Sequence, residues 1–142
     1  MQQTNSPASL QELRSKVKTE MSNLGIDPNG KDQHSPGAKL DSGKSRTGLL
    51  ISGFSLALSS TAEVATYGAK KYTPNGWVTV PDGITRYSDA LYRHLLLSVT
   101  QKLDQESGLD HLAHAAWNIL AILELTLRKE FAEDGMTLTK HQ

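Results

Sequence analysis

Two histidines and an asparagine, His111, His114 and Asn118, follow one another at intervals of three and four residues. At about 100° per residue, such spacing places the three side chains on one face of a helix. Neutral imidazole can bind a metal ion or transfer a proton near neutral pH. The pattern therefore fits a ligand or substrate contact, and it fits a buried hydrogen-bonded network equally well.

An acidic turn lies just before these histidines, with Asp104, Glu106, Asp110 and His111 inside eight positions. The dipole of a helix favours carboxylates near its N-terminus in any protein, so each acid alone is weak evidence of a site. Magnesium prefers oxygen ligands and retains several waters, so one or two carboxylates plus substrate phosphates can hold it. Glu63 is a further candidate ligand, although a solvated surface position explains it as well.

Arg86, Asp89 and Arg93 share one helical face at positions i, i+3 and i+7, with His94 next to them. Surface ion pairs at this spacing are common and contribute only ~0.3–0.5 kcal/mol. The functional interpretation is that Asp89 helps to hold a divalent cation while the arginines face phosphate oxygens.

Two basic clusters offer further phosphate contacts: Lys39, Lys44 and Arg46 in one, Lys70 and Lys71 in the other. A straight helix between them would separate the clusters by ~30 Å, so either the chain folds back or neighbouring subunits combine to form a site. The first cluster lacks the Gly-x-x-x-x-Gly-Lys-Ser/Thr spacing of a phosphate-binding loop. No spacing of serine, histidine and acid indicates a hydrolytic triad.

Composition limits the classes of function. The 142 residues include 15 Lys plus Arg and 15 Asp plus Glu, and they contain no cysteine. Zero net charge gives no overall attraction to nucleic acid or to an anionic membrane, so we expect neither partner. The absence of cysteine excludes disulfides, thiolate zinc sites and thiol nucleophiles. With no signal-like or membrane-spanning apolar run, we expect a cytoplasmic protein.

Helical periodicity dominates the elements that must position these side chains. We predict helices over Ser9–Leu24, Leu49–Lys71, Thr85–Leu103 and Ser107–Phe131, and a loop over Thr73–Thr85 that contains a short strand at Val78–Val80. The predicted fold class is all-α: a small bundle of three core helices plus an N-terminal appendage helix, completed by oligomerisation. Residues 1–37 are predicted to form the amphipathic helix and a linker of turns, and residues 38–142 the main domain.

The last helix is apolar on two faces. Its leucine and alanine stripe is predicted to be core, and Ile122 and Leu125 continue the histidine face on the opposite side. A helix that needs cover on both sides is central in its domain or lies at an oligomer interface, so we expect a dimer or a tetramer. The predicted core stripe comprises Leu109, Leu112, Ala113, Ala116, Leu120, Leu123 and Leu127.

Four segments in this order, AKLDSGKSR, AEVATYGAKKY, RYSDALYRHL and DQESGLDHLAHAAWN, resemble the dATP/dGTP diphosphohydrolase N-terminal family that is common in phages. The resemblance covers about Ala38 to Arg128. It implies an all-α protein similar in character to MazG-like pyrophosphohydrolases, which would cleave a purine deoxynucleoside triphosphate to the monophosphate and pyrophosphate with Mg²⁺ or Mn²⁺. For a phage protein, the expected location is the host cytoplasm.

The resemblance also implies roles for individual residues. Asp104 or Glu106 would orient the attacking water, and His94 or His111 would complete the metal coordination or transfer a proton. From the residue patterns and the resemblance together, the expected metal ligands are Glu63, Asp89, Asp104 and Glu106. The expected substrate contacts are Lys39, Lys44, Arg46, Lys70, Lys71, Tyr72, Trp77, Arg86, Arg93, His114 and Asn118.

Two departures from the family pattern keep alternatives open. Ser45 stands where the family usually has proline, and Thr100-Gln101 stands where it usually has Gly-Glu. A missing glutamate favours the alternative of a non-catalytic protein that binds or sequesters a nucleotide. A second alternative is a helical structural or assembly protein, whose two-faced helix simply marks an interface.

Overall fold

The computed structural model describes Ser15 and residues 25–133. The chain divides into two compact units, Met1–Leu49 and Leu50–Gln142. Apart from Ser15, the predicted helix Ser9–Leu24 lies outside the described residues. The predicted domain boundary after residue 37 stays a prediction.

In the first unit, Asp27 organises a series of turns. Its carboxylate is buried and accepts backbone hydrogen bonds from Asn29 at 2.7 Å and from Lys39 at 2.7 Å. These hydrogen bonds hold the pKa of Asp27 below its ordinary value. Gly30 and Gly37 adopt φ of 73° and 76°, in the left-handed region that glycine enters without strain. The proline- and glycine-rich segment is therefore built of turns, as its composition predicts.

Helices make up most of the described chain from residue 47 onward. They are α1 (Thr47–Gly53), α2 (Ser55–Lys71), a 3-10 helix (Gly76–Thr79), α3 (Gly83–Ser98) and α4 (His111–Glu133). Within residues 25–133 the one β feature is an isolated bridge between Leu103 and Asp110. The all-α fold class is confirmed.

The predicted helix over Leu49–Lys71 is interrupted at Phe54, which separates α1 from α2. Phe54 has φ −122° and ψ 27°, outside the helical region, and it follows Gly53, a residue of low helix propensity. In the described part of the chain, no single helix is long and apolar enough to cross a membrane; α1 and α2 taken together would be, by length and composition alone.

The predicted strand at Val78–Val80 is wrong, because residues 76–79 form the 3-10 helix. Asn75 enters it with φ 57°, a left-handed conformation that asparagine tolerates. The Tyr87 hydroxyl donates a hydrogen bond to the Trp77 carbonyl at 3.1 Å and ties this short helix to α3. β-branched residues favour a strand locally, but no strand within residues 25–133 lies alongside to pair with it.

The loop between α3 and α4 is longer than the sequence predicts. Helix α3 ends at Ser98, five residues before the predicted end, and α4 begins at His111 and not at Ser107. Asp110 caps α4 by accepting a hydrogen bond from the Leu112 amide at 2.8 Å. The chain folds back on itself before this cap, since the Asp104 amide donates to the Leu109 carbonyl at 2.8 Å. This fold-back turn, Asp104–Leu109, carries the acidic residues Asp104 and Glu106.

Helix α4 is the central helix of the second unit, where it packs against both α3 and α2. Small side chains allow the close approach: the buried apolar residues are Val64 on α2 and Ala113, Ala115 and Ala121 on α4. At the start of α3, Gly83 is buried, and a methyl group there would come within 3.0 Å of the Leu125 side chain.

Three leucines predicted as core instead form an outer face of α4. Leu112, Leu120 and Leu123 are 58%, 49% and 54% exposed, whereas His111, His114 and Asn118 on the opposite face are buried. Of the rest of the predicted stripe, Ala113 is buried and Leu109, Ala116 and Leu127 are half-buried. Hydrophobicity alone cannot assign the inner face of a helix that is apolar on two sides. The dimer or tetramer that would cover the leucines stays a prediction.

Candidate functional site

A cleft of about 820 Å³ opens in the second unit, among α2, the 3-10 helix, α3, the fold-back turn and α4. This volume is within the usual range for small-molecule sites. Its lining combines three kinds of side chain: cationic Lys71, Arg86 and Arg93, acidic Asp104 and Glu106, and aromatic Tyr67, Tyr72, Trp77, Tyr87 and Trp117. His94, His114 and Asn118 complete the polar part of the lining.

Three histidines meet at one side of this cleft, because α3 carries His94 alongside the first turn of α4. The Nδ1 atoms of His94 and His111 are 2.9 Å apart, so one ring donates a hydrogen bond to the other. The His94 and His114 rings stack with centroids 4.4 Å apart and planes 5° apart. His111 is 1% exposed, and its Nε2 is buried with no hydrogen-bond partner in the part of the chain that the structure describes.

Asp104, Ser107 and His114 form a hydrogen-bonded chain. Asp104 Oδ1 accepts from the Ser107 amide at 2.9 Å and from the Ser107 hydroxyl at 2.8 Å. Ser107 Oγ also lies 2.8 Å from His114 Nε2. The hydroxyl has one proton, which it donates to the carboxylate, so His114 Nε2 must be the donor in the second contact. A serine that donates to a carboxylate and accepts from histidine is not arranged as a nucleophile.

The environment sets the charge of these groups. Burial, with a smaller effect from His114, lowers the pKa of His94 to about 4, although Asp104 acts in the opposite direction. Burial also lowers the pKa of His114, again opposed by Asp104. For Asp104, burial acts to raise the pKa, but the hydrogen bonds from Ser107 and the nearby histidines outweigh it and lower the pKa. At neutral pH the site therefore holds neutral His94 and His114 beside an ionised Asp104.

Glu106 is held by two residues of α2. Its Oε1 accepts hydrogen bonds from the Tyr67 hydroxyl at 3.1 Å and from Lys71 Nζ. The hydrogen bond from Lys71, followed by that from Tyr67, lowers the pKa of Glu106. The same contact raises the pKa of Lys71. In this arrangement Glu106 is an ionised partner for Lys71, and it is less suited to act as a proton acceptor.

The aromatic side chains form a cluster at one wall of the cleft. Trp117 makes edge-to-face contacts with Trp77 and Tyr87, with ring centroids 5.8 Å and 5.5 Å apart. Tyr72 is 73% exposed and has Lys71 Nζ 5.4 Å from its ring centroid. Asn118 is buried and donates from Nδ2 to the His114 carbonyl at 2.8 Å, within α4 itself.

Most of the predicted site residues are brought together by the structure. Those that line the cleft are Lys71, Tyr72, Trp77, Arg86, Arg93, His94, Asp104, Glu106, His114 and Asn118, and His111 contacts His94 next to it. Glu63, Lys70 and Asp89 are exposed and do not line it. Lys39, Lys44 and Arg46 belong to the first unit, where Lys39 forms an ion pair with Asp41 at 3.4 Å.

Four side chains of the site receive no role from the sequence: Tyr67, Tyr87, Ser107 and Trp117. All four belong to the quoted motifs, but their contacts join different elements and cannot be derived from spacing. The sequence signal for Trp117 is its position three residues after His114 on the same helix.

The four predicted carboxylate ligands do not converge on one point. Among the described residues, the one set of three donor residues close enough to share a metal ion is His94, Asp104 and His111, whose ligand atoms lie within 4.8 Å of one another. Two imidazoles and one carboxylate suit a transition metal such as Mn²⁺ or Zn²⁺, whereas Mg²⁺ prefers oxygen ligands. The donor set thus fits the manganese alternative better than magnesium.

Comparison with known proteins agrees with the motifs. A family model described as "dATP/dGTP diphosphohydrolase, N-terminal" matches residues 34–135. The chain belongs to this family. Its match includes every element that lines the cleft. A protein of Salmonella phage PMBT28 named dATP/dGTP diphosphohydrolase is 33% identical over 99 residues, which are 69% of this chain and 32% of that protein.

The chain thus spans about a third of the length of the phage relative that it matches. No solved structure matches it. The family resemblance inferred from the four sequence motifs is confirmed by the family match and by the relative.

Proposed function

We propose that this member of the dATP/dGTP diphosphohydrolase N-terminal family hydrolyses a purine deoxynucleoside triphosphate to the monophosphate and pyrophosphate. The observation that carries the proposal is one cleft that combines cationic, acidic and aromatic side chains. Phosphates, a polarised water and a purine ring need these three kinds of group. The printed name of the phage relative supports the same activity.

The cationic side chains would bind the triphosphate. Lys71, Arg86 and Arg93 line the cleft from two helices, and a guanidinium group can contact two phosphate oxygens at once. Lys71 is bound to Glu106 in the structure, so substrate phosphates would compete with Glu106 for the same ammonium group. Positive charge held near the departing pyrophosphate stabilises it as the bond to the α phosphorus breaks.

Asp104 is the best candidate for orienting the attacking water. Its Oδ1 is bound by Ser107, while its Oδ2 accepts no hydrogen bond from the residues that the structure describes. An ionised carboxylate oxygen can hold water by accepting a hydrogen bond from it. The water oxygen would attack the α phosphorus and give up a proton to Asp104 Oδ2, and the bond from the α phosphorus to the α–β bridging oxygen would break toward pyrophosphate. When bound, a divalent cation would offset negative charge on the phosphate oxygens.

The purine would stack on the aromatic wall. Trp77 and Tyr72 line the cleft, and the flat face of either aromatic side chain offers a stacking surface for a base. Trp117 holds Trp77 in place by its edge-to-face contact. The substrate partner we propose is therefore a purine deoxynucleotide, dGTP or dATP.

A second candidate function is nucleotide binding without hydrolysis. The observation that favours it is the engagement of Glu106 by Lys71 and Tyr67, which occupies one of the two acids expected to activate water. Gln101, at the position where the family usually has glutamate, is exposed and lies near Gln105 at 3.5 Å. In this reading the cleft would sequester the nucleotide.

The test is to incubate the purified protein with each of the four deoxynucleoside triphosphates and either Mg²⁺ or Mn²⁺, and to follow monophosphate and pyrophosphate by chromatography. We expect release from dGTP or dATP, reduced on the order of 100-fold in Asp104→Asn. Asp89→Asn is the matched control, because Asp89 is an exposed acid that does not line the cleft.

Bound but intact nucleotide would establish the sequestering function instead. A protein that no nucleotide stabilises against heat would contradict both functions and favour a structural role for the exposed leucine face of α4.

A further inference from the structure

We infer that His94, Asp104 and His111 form a transition-metal site that prefers Zn²⁺ or Mn²⁺ to Mg²⁺. One ring nitrogen of each histidine and one carboxylate oxygen of Asp104 lie within 4.8 Å of one another. The three residues come from α3, the fold-back turn and the first turn of α4. The site therefore depends on the packing of those elements and has no local sequence signature.

The His111 ring can present Nδ1 to an ion. It is almost completely buried, its Nδ1 contacts His94, and its Nε2 has no hydrogen-bond partner among the described residues. A neutral ring that binds a metal ion through Nδ1 carries its proton on Nε2, and no described residue opposes that tautomer by donating a hydrogen bond to Nε2.

The contact between the two histidines is close to the separation that a metal requires. The Nδ1 atoms are 2.9 Å apart. Two nitrogens on one tetrahedral zinc ion, each 2.0–2.1 Å from it, would lie about 3.3 Å apart. A small opening of the pair, with the proton between them moved to Nε2 of the ring that carries it, frees both Nδ1 lone pairs for a metal ion.

The surroundings of the set suit a bound ion. Ser107 donates two hydrogen bonds to Asp104 Oδ1 and fixes the carboxylate, in the way that outer-shell groups orient metal ligands. His94 and Asp104 also line the cleft, so an ion held by the three residues would keep open positions toward it. Three protein ligands and an open position are the pattern of catalytic zinc sites, in which water or substrate completes the coordination.

The preference for a transition metal follows from the donor atoms. Imidazole binds zinc and manganese more readily than magnesium, which favours carboxylate, carbonyl and water oxygens. Mg²⁺ at this position would have one protein oxygen donor among three protein ligands. Binding of the metal does not require that the cleft hydrolyses a nucleotide, so the inference stands apart from the proposed function.

The inference is tested by calorimetric titration with Zn²⁺ and with Mg²⁺. The protein is purified without a histidine tag, treated with chelator and kept free of nucleotide. We expect one Zn²⁺ per chain, bound on the order of 100-fold more tightly than Mg²⁺. Co²⁺ in place of Zn²⁺ should give visible absorption bands with the same stoichiometry. His94→Gln and Asp104→Asn should each weaken binding at least ~10-fold. His34→Gln is the matched control, because His34 is an exposed histidine that does not belong to the set.

Equal affinity for Mg²⁺ and Zn²⁺ would overturn the inference, and so would zinc binding that persists in both site variants or disappears in His34→Gln. The circular dichroism of each variant shows whether it is folded. Both site variants retain a polar side chain of similar size, and Asp104→Asn keeps an oxygen that can accept from Ser107.

Discussion

The His94 and His114 rings lie face to face, 4.4 Å between centroids, and so join α3 to α4 through two imidazoles. Because the rings are close and partly buried, a proton on one of them raises the energy of the whole cluster. The adjoining His111 ring extends the cluster by its 2.9 Å contact with His94. Charge on this cluster therefore affects both the stability of the second unit and the chemistry of the cleft.

We predict that the metal-free protein becomes less stable as the pH falls from about 6.5 to about 4. In this window unfolded His94 binds a proton while folded His94, whose pKa is lowered to about 4, does not. The groups that face it are His111 and His114 on α4, Asp104 on the fold-back turn, and Arg93 on its own helix.

Urea unfolding with excess chelator measures this effect. Between pH ~7 and ~5, His94→Asn should lose about 1 kcal/mol less of its free energy of unfolding than the wild type, after allowance for solvent screening. An equal loss in both proteins would contradict the prediction.

The adjacent lysines at the end of α2 should behave differently. Lys71 lines the cleft and contacts Glu106, whereas Lys70 is exposed and does not line it. Lys71→Met removes a charge from the proposed phosphate site and should lower kcat/KM for the preferred triphosphate on the order of 10- to 100-fold. Lys70→Met, which changes the same net charge, should leave kcat/KM within about twofold. Steady-state kinetics checks both, and similar losses would place the substrate elsewhere.

Ser107 should control the ionisation of Asp104. Ser107→Ala removes the hydroxyl that donates to Asp104 Oδ1 and accepts from His114 Nε2. We expect the pKa of Asp104 to rise, seen by NMR titration of its carboxyl carbon, and the free energy of unfolding to fall by about 1–2 kcal/mol. Ser88→Ala is the control, since the Ser88 hydroxyl bonds to the Ile84 carbonyl within α3. An unchanged Asp104 titration would show that the hydroxyl proton points elsewhere.

Trp117 should contribute more to stability than an exposed aromatic residue. It packs against both Trp77 and Tyr87, so Trp117→Leu removes two edge-to-face contacts and leaves space in the aromatic wall. We expect a loss of about 2–3 kcal/mol in the free energy of unfolding by urea. Tyr92→Leu, at a side chain that is 60% exposed, should change it by less than about 0.5 kcal/mol. Comparable losses would mean that Trp117 is not an anchor of this wall.

The sequence predicts which residues belong to the site better than it predicts the contacts between them. Asp104, His94 and His114 were selected from spacing and motifs, and the structure brings them to one cleft. Asp89 was selected by the same reasoning, yet it is exposed and lies outside the cleft lining. Helical spacing shows which side chains share a face, but it does not show whether that face is turned inward.

Local rules also failed where tertiary contacts decide the backbone. β-branched residues at Val78 and Val80 predicted a strand, but Trp77 is tied to Tyr87 and the segment forms a 3-10 helix. Ser107 fitted the pattern of a helix cap, but its hydroxyl bonds to Asp104 and His114 and the helix begins at His111. In both cases the competing partner lies on another element, or many residues away along the chain.

The sequence by itself determined the helical fold class and the family, because periodicity and motif order are properties of neighbouring residues. Tertiary structure alone decided that α4 turns its histidines inward and exposes Leu112, Leu120 and Leu123, since both faces of that helix are apolar. It also decided that His94, Asp104 and His111 meet. Convergence of side chains from α3, the fold-back turn and α4 depends on how these elements pack, and packing energy is summed over contacts between residues far apart in the chain.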